Sequence, residues 1–226
     1  KIKNSLRDFY LKLMKNFFKN FINTYTFVSN GLEEHIKKYY NISKVNSLVW
    51  SSAVNETFIN HSLSDFDENK SIRTLIYHGT LASDRGIIEL CQACANFSNV
   101  KLKIIGSGPL ASEIDKFIRK NKINNVKLFD RMSQKKIIEE IDNADAGVVP
   151  LGNTLVMNTS SPLKLMEYLS LNKPVITTEL SSIKKLLNAY QGVIFIKNNS
   201  VDQQRKAIKL LIDNFSLYSK KSKEGR

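Results

Sequence analysis

From residue 71 onward the chain alternates between short apolar segments and longer amphipathic ones, and this alternation limits the possible folds more than any other feature. The predicted strands are 73–78, 100–105, 126–129, 146–149, 174–178 and 192–196, and the predicted helices are 86–97, 110–121, 134–142, 162–171, 183–187 and 201–215. Strands that alternate with helices form βαβ units, because a parallel neighbour is reached only through a crossover connection. The sequence therefore predicts an α/β fold built on a doubly wound parallel sheet.

The residues before this region follow another pattern. Residues 4–22 carry apolar side chains at helical spacing, with basic residues on the remaining faces. Such a helix packs against a sheet about twice as often as it lies on an anionic bilayer, and both interpretations stay open. A strand, a turn, a helix and a second strand are predicted to follow, at 24–29, 30–31, 32–40 and 45–50. This piece is too small for an independent core of useful size, and the chain begins with Lys1, so we expect a fragment or a processed product.

The composition narrows the choice of partners. A net charge of +13 suits phosphorylated small molecules, an anionic membrane surface or nucleic acid. The basic residues are spread along the chain, which argues against a nucleic-acid groove, and no apolar run is long enough to span a membrane. Cys91 and Cys94 lie inside a predicted helix, and a zinc site would need two more ligands. We expect two buried thiols, no metal site and a reducing compartment.

The stretch 158–176 contains the residues best suited to bind a ligand. Ser160 and Ser161 are predicted to cap a helix, and such a helix start favours a phosphate because it gathers unpaired N–H groups and the positive end of the dipole. Lys164 adds a cation in the first turn, and Glu167 follows on the same face as a possible acceptor for a ribose diol. A capped structural helix with a Lys/Glu surface pair fits the same residues, and the local chemistry does not choose between the two.

Two earlier loops lie at the same predicted edge of the sheet, where ligands of such folds bind. In the first, Gly79 allows a tight turn and Arg85 precedes a helix, well placed for a phosphate. The second, residues 106–111, fits the relaxed dinucleotide fingerprint G-x-G-x-x-A, and Asp130 ends the next strand as a ribose-binding acid would. An NAD(P)-dependent oxidoreductase is therefore an alternative. Two observations argue against an oxidoreductase. The fingerprint follows the second strand of this region and not the first, and the remaining loops supply no hydride-transfer site.

Taken in order, these loops resemble the C-terminal, donor-binding domain of retaining GT-B glycosyltransferases of the group 1 family, which is a Rossmann-like half of the GT-B fold. The matching stretches are 77–86, 102–109, 126–130, 144–150, 161–169 and 173–176. Residues 24–58 resemble the end of that family's N-terminal domain. Each stretch is common by itself, and their order and spacing carry the resemblance.

The resemblance implies how a donor would bind. Glu167 would bind the ribose hydroxyls of a UDP- or GDP-sugar, while Arg85, Lys164 and the N–H groups after Ser160 would hold the diphosphate. The backbone of Arg131 and Met132 would border the base. The donor-binding residues as a whole would be Gly79, Arg85, Arg131, Met132, Ser160, Ser161, Leu163, Lys164 and Glu167. The sugar would pass with retention to a glycan or lipid-linked acceptor in surface polysaccharide synthesis, without a cofactor or an obligatory metal.

The resemblance also implies a division of the chain. Residues 1–58 would be the remnant of an acceptor-binding domain with the start of a linker, 59–70 the linker, 71–200 the nucleotide-sugar-binding domain, and 201–226 a closing helix and tail. The catalytic residues would lie in the missing N-terminal part, so the fragment is expected to bind donor weakly and to be inactive. The implied location is cytoplasmic, with peripheral contact at the inner membrane face as an option.

Two positions depart from the family pattern. Thr159 stands eight residues before Glu167, where the family often carries a second Glu, which puts recognition of the sugar hydroxyls in question. Thr80 follows Gly79 where a basic residue is frequent, and this leaves Arg85 as the main phosphate-binding cation of that loop.

Overall fold

The computed structural model describes residues 2–42, 46–64, 67, 70–187 and 190–223, and it contains two parallel sheets of unequal size. The smaller sheet and its helices come first in the chain: α1 Ile2–Phe21, β1 Thr24–Phe27, α2 Asn30–Tyr40, β2 Asn46–Val49 and α3 Glu56–Ile59. Strands β1 and β2 pair in parallel and share a small apolar core with Ile42 and the last turn of α1.

The larger sheet carries the alternating pattern seen in the sequence. Its strands are β3 Arg73–His78, β4 Val100–Ile105, β5 Val126–Phe129, β6 Ala146–Val149, β7 Val175–Thr178 and β8 Val193–Ile196. Its helices are α4 Ile87–Cys94, α5 Ala111–Lys120, α6 Gln134–Asp142, α7 Leu155–Thr159, α8 Leu163–Ser170, α9 Ser181–Leu186, α10 Val201–Asp213 and α11 Phe215–Lys223.

The strand order β5-β4-β3-β6-β7-β8, with all neighbours parallel, confirms the predicted doubly wound α/β fold. The chain runs outward in one direction from β3 and in the other from β6. The connections that leave β3 and β6 therefore run in opposite directions. In such folds a crevice opens between these two strands, at their carboxyl ends.

The larger sheet is covered on both faces, because successive side chains of a strand point to opposite sides. Leu75 and Tyr77 of β3 belong to an apolar cluster with α4 and α10, whereas Ile76 belongs to a second cluster with α6 and α8. Cys91 and Cys94 lie in the first cluster as buried free thiols, and burial raises the pKa of Cys91 to about 12. Among the residues described, no group of three or more His, Cys, Asp or Glu is arranged to hold a metal.

Some local predictions were wrong. The predicted turn at 30–31 is the first turn of α2, because the Ser29 Oγ accepts the N–H of Leu32 and caps that helix. The single closing helix predicted at 201–215 is two helices that meet at Asn214. The polar and broken sequence of residues 51–70 predicts a connector, but residues 56–59 within it form α3, and Phe58 is buried against the larger sheet. Val45, placed at the start of a predicted strand, lies outside the described residues.

Helix α1 packs on the small sheet only through its final turn. Phe18 and Ile22 contact the small core, whereas the side chains of six apolar residues along the helix are exposed: Leu6, Phe9, Tyr10, Leu13, Phe17 and Phe21. The interpretation that this apolar stripe packs against a sheet therefore holds only for the end of the helix. In the part of the chain that the structure describes, no helix combines the length and apolar character needed to cross a membrane.

A charged cluster ties the connector to the edge of the sheet opposite the ligand-binding edge. Asp142 accepts hydrogen bonds from Ser64 and contacts His61 at 3.2 Å and Lys173 Nζ at 3.5 Å. Burial raises the pKa of this carboxyl, but the Ser64 hydrogen bond and the Lys173 charge outweigh it and hold the pKa below its usual value. The cluster holds the connector in place together with the apolar contacts of Val54, Phe58 and Leu63.

Candidate functional site

Two loops pack backbone to backbone at the carboxyl ends of β3 and β4. Gly79 and Gly106 adopt φ values of +121° and +157°, which residues other than glycine rarely adopt. A Cβ on Gly106 would lie 1.9 Å from the carbonyl oxygen of Gly79, and one on Gly108 would lie 2.3 Å from that of Leu81. Both glycines of the 106–111 fingerprint are therefore required by contact with the neighbouring loop, whatever ligand binds beside them.

A cavity of about 330 Å³ opens next to these loops. Its lining combines the ends of β3 and β4 with the loop after β5: His78, Gly79, Thr80, Ile105, Gly106, Ser107, Arg131, Met132 and Ile137. The predicted site residues Gly79, Arg131 and Met132 thus meet in one cavity. Its volume is at the lower end of the range of small-molecule sites.

Glu167 of α8 connects the stretch 158–176 to this cavity. Its Oε2 lies 2.7 Å from Nε2 of His78, and the Glu167 side chain is 14% exposed. The other ring nitrogen of His78, Nδ1, lies 2.9 Å from the hydroxyl of Tyr168. The carboxylate is therefore held next to the cavity, against the lining residue His78, and is not itself one of the lining residues.

Two cations, Lys164 and Arg85, lie near each other and near Tyr77 at the end of β3. Lys164 Nζ lies 4.0 Å from the centroid of the Tyr77 ring and 3.1 Å from where a Cβ on Gly79 would be. Burial, followed by the positive charge of Arg85, lowers the pKa of Lys164 to about 7. Since both effects disfavour the charged form, an anion placed here would gain a strong interaction.

Arg85 has spare hydrogen-bonding capacity at the same place. Its Nη1 donates to the sulfur of Met157 at 3.0 Å, a weak acceptor. Its Nε is buried, makes no hydrogen bond to any residue that the structure describes, and lies 3.3 Å from Oδ1 of Asp84. A buried guanidinium with a weak partner and an unused donor is suited to an incoming anion.

The start of α8 differs from the sequence prediction. Pro162 is the residue at the N-cap position, so Ser160 and Ser161 do not cap this helix. The N–H and Oγ of Ser160 both donate to the carbonyl of Met157, which ends the short helix α7. Ser161 Oγ instead accepts the N–H of Ser52 at 3.0 Å. The first N–H groups of α8, at Leu163 and Lys164, have no partner within the helix.

The sequence profile of the family described as Glycosyl transferases group 1 matches residues 61–226. The chain belongs to this family. It is 22% identical over 212 residues to an uncharacterized glycosyltransferase of Methanocaldococcus jannaschii, covering 93% of this chain and 55% of the relative. The chain thus spans about half the length of this curated relative.

Solved structures of glycosyltransferases share the fold. A glycosyltransferase from Rickettsia africae matches with a TM-score of 0.75 and 14% identity, covering 93% of this chain and 60% of that one. An Anabaena protein solved in complex with UDP and glucose matches with a TM-score of 0.73 and 12% identity, covering 94% of this chain and 59% of that one. These comparisons give the oxidoreductase alternative no support.

Several residues of this glycosyltransferase site were not found from its sequence. His78 and Tyr168 flank Glu167, and Tyr77 lies under Lys164, yet all three looked like ordinary core positions in a strand and a helix. The one available signal was a titratable side chain, His78, at the last residue of a central strand. Residues 158–161 were taken for a helix start, whereas 155–159 form α7, whose end positions the loop before α8.

Proposed function

We propose that this glycosyltransferase chain forms the donor-binding half of an enzyme that transfers a sugar from a UDP- or GDP-sugar to a glycan or lipid-linked acceptor with retention. One observation carries the proposal. Lys164, in the first turn of α8, lies near Arg85 and Glu167, and Glu167 contacts His78 of the cavity lining. A nucleoside diphosphate requires this combination: cations and N–H groups for the phosphates, and a carboxylate for the ribose diol.

A donor would be held through its three parts. The base would lie in the cavity against the backbone of Arg131 and Met132, and the ribose hydroxyls would donate to Glu167. The diphosphate would accept hydrogen bonds from Arg85, Lys164 and the N–H groups at Leu163 and Lys164. The UDP in the Anabaena structure supports a uridine base, although that protein shares only the fold with this chain.

The same groups would act on the reaction itself. When the bond between the anomeric carbon and the phosphate oxygen breaks, negative charge grows on the departing diphosphate. Arg85, Lys164 and the helix start would stabilise that charge, because cations and N–H groups act more strongly on it in a partly buried place than in water. Under this proposal the attacking acceptor and any further catalytic group lie outside the residues assigned to donor binding.

The domain division predicted from the sequence belongs to the same proposal. The small sheet with β1 and β2 has its own core, and the larger sheet carries the donor site.

In addition, we propose peripheral contact with an anionic membrane through α1 and a cytoplasmic location. The exposed apolar stripe of α1 and its basic residues, against the single acidic residue Asp8, support contact with anionic lipid.

Isothermal titration with UDP-glucose, GDP-mannose and NAD tests the donor site. Glu167→Ala and Lys164→Ala should each weaken binding of the preferred nucleotide sugar by about tenfold or more, since each removes a charge-assisted contact. Glu113→Ala and Lys116→Ala on the exposed face of α5 are matched controls and should bind as the wild type does. Binding of NAD with no response to either nucleotide sugar would overturn the proposal.

A further inference from the structure

A chain of three side chains links the end of β3 to α8. The Tyr168 hydroxyl accepts the backbone N–H of His78 at 3.1 Å and lies 2.9 Å from Nδ1 of the same residue. Nε2 of His78 lies 2.7 Å from Oε2 of Glu167. The cavity, the strand end and the helix thus meet through one imidazole ring.

Tyr168 is built into the sheet rather than placed on its surface. A Cβ on Gly147 would lie 2.2 Å from the Tyr168 ring, so the ring occupies space that only a glycine in β6 leaves open. The residue is fully buried, and burial raises the pKa of its hydroxyl well above the ordinary value. The hydroxyl therefore keeps its proton and needs an acceptor for it.

The hydrogen-bond count determines the tautomer of His78. The Tyr168 oxygen already accepts the backbone N–H, and its own O–H finds one acceptor among the described residues, Nδ1 of His78. If Nδ1 accepts, it carries no proton, and the neutral ring then carries its proton on Nε2. That Nε2–H donates to the Glu167 carboxylate. The opposite tautomer would leave the buried Tyr168 O–H without an acceptor and set Nε2 against a carboxylate, two lone pairs facing each other.

We propose that His78, fixed as the Nε2–H tautomer by Tyr168, is a positioning residue that holds Glu167 next to the cavity for the ribose of the donor. This role rests on the proposed donor site. The bond to His78 occupies Oε2 and leaves Oε1 of Glu167 for a ribose hydroxyl. The bond to His78 also restrains the carboxylate from turning to Lys164, whose charge the diphosphate requires. Glu167 is near enough to raise the pKa of Lys164, yet among the described residues the two side chains form no ion pair.

The wild-type protein tests the tautomer directly, without any variant. Long-range ¹H–¹⁵N spectra of protein labelled at histidine should show His78 with a protonated Nε2 and an unprotonated Nδ1 near neutral pH. Tyr168→Phe keeps the ring on Gly147 but removes the hydroxyl; combined with Glu167→Ala it removes both groups that hold the Nε2–H tautomer, so the second tautomer should become populated in the double variant. A wild-type Nδ1–H tautomer, or a doubly protonated ring at neutral pH, would overturn the proposal.

Donor affinity tests the positioning role. His78→Phe keeps an aromatic ring but has no donor, and should weaken UDP-glucose or GDP-mannose binding by about tenfold. His78→Gln restores an N–H at the place of Nε2 and should recover most of the affinity. In the background of Glu167→Ala, His78→Phe should cause no further loss, because a residue that acts through Glu167 has nothing left to position.

A merely structural role of His78 predicts other results. Loss of affinity would then follow the loss of thermal stability, would persist in the Glu167→Ala background and would not be recovered by Gln; any of these outcomes contradicts the positioning role. If the wild type binds neither nucleotide sugar, the proposed function fails and the positioning role fails with it, whereas the wild-type spectrum still decides the tautomer. The two failures are therefore distinguishable.

Discussion

At the scale of single residues, Lys164 lies in an environment that disfavours its charged form. In the free protein it lies over the Tyr77 ring, near Arg85, with a pKa of about 7. A cation kept partly uncharged by its surroundings regains its charge when an anion arrives. The residue thus couples donor binding to the uptake of a proton.

The pH dependence of binding follows from this coupling. The pKa of Lys164 is about 7 in the free protein and higher in the complex, so the complex binds more protons above neutral pH. Affinity for UDP-glucose should be constant below about pH 6 and should fall by up to about tenfold per pH unit above about pH 7. Calorimetry in two buffers of different ionisation heat should show proton uptake at about pH 8 and none at about pH 6. Uptake that persists in Lys164→Met would refute this account.

At the scale of elements, the helices differ in how completely their apolar faces are covered. Helix α4 buries Leu90 and Cys94 fully in the core, whereas α1 leaves Phe9 and Phe17 largely exposed. Both helices have amphipathic sequences, so periodicity alone could not tell one from the other. The exposed stripe of α1, together with its basic residues, predicts binding to anionic lipid.

Vesicle co-sedimentation tests this prediction on the full chain. Binding to vesicles that contain phosphatidylserine should exceed binding to neutral phosphatidylcholine vesicles and should weaken with added salt. Phe9→Ala combined with Phe17→Ala should reduce binding by about tenfold or more, because two large apolar side chains no longer enter the interface. Leu210→Ala combined with Leu217→Ala, two exposed residues of other helices, is the matched control. Equal binding by both double variants would exclude α1 as the contact.

At the scale of the whole molecule, the small sheet is held against the donor-binding region. Ser29 Oγ donates to the carbonyl of Thr159 at 2.7 Å, and Glu34 pairs with Lys185. Helix α2 approaches α7 so closely that a Cβ on Gly31 would lie 2.2 Å from the backbone oxygen of Asn158. The segment before α8 therefore contacts the small sheet unit on one side and, through Met157, the guanidinium of Arg85 on the other.

Substitution at Gly31 should separate these parts. Gly31→Ala puts a methyl group against a backbone atom that cannot move without displacing α7, so we expect a loss of about 1–3 kcal/mol in the free energy of unfolding. Amide hydrogen exchange should increase in 29–40 and 154–161 more than in the core strands. Lys38→Ala on the exposed face of α2 is the control and should change neither quantity. Unchanged exchange in 154–161 would show that α7 does not depend on this contact.

The sequence alone determined the fold and the order of its strands and helices. The boundaries of β3, β4, β5 and β6 agree with prediction, because a buried parallel strand needs an unbroken apolar run that a short polar loop must interrupt. It also indicated the cations and the carboxylate that we propose for a donor site, since Arg85, Lys164 and Glu167 follow recognisable glycine, proline and strand signals.

Only the tertiary structure decided what each of these groups contacts. Ser160 and Ser161 have the composition of helix caps, but one ends α7 and the other binds the connector at Ser52, a partner 109 positions away. His78 lies 89 positions from Glu167, and no local pattern encodes that pair. Periodicity reports which face of an element is buried, whereas hydrogen bonds between loops depend on how distant segments are brought together by the sheet.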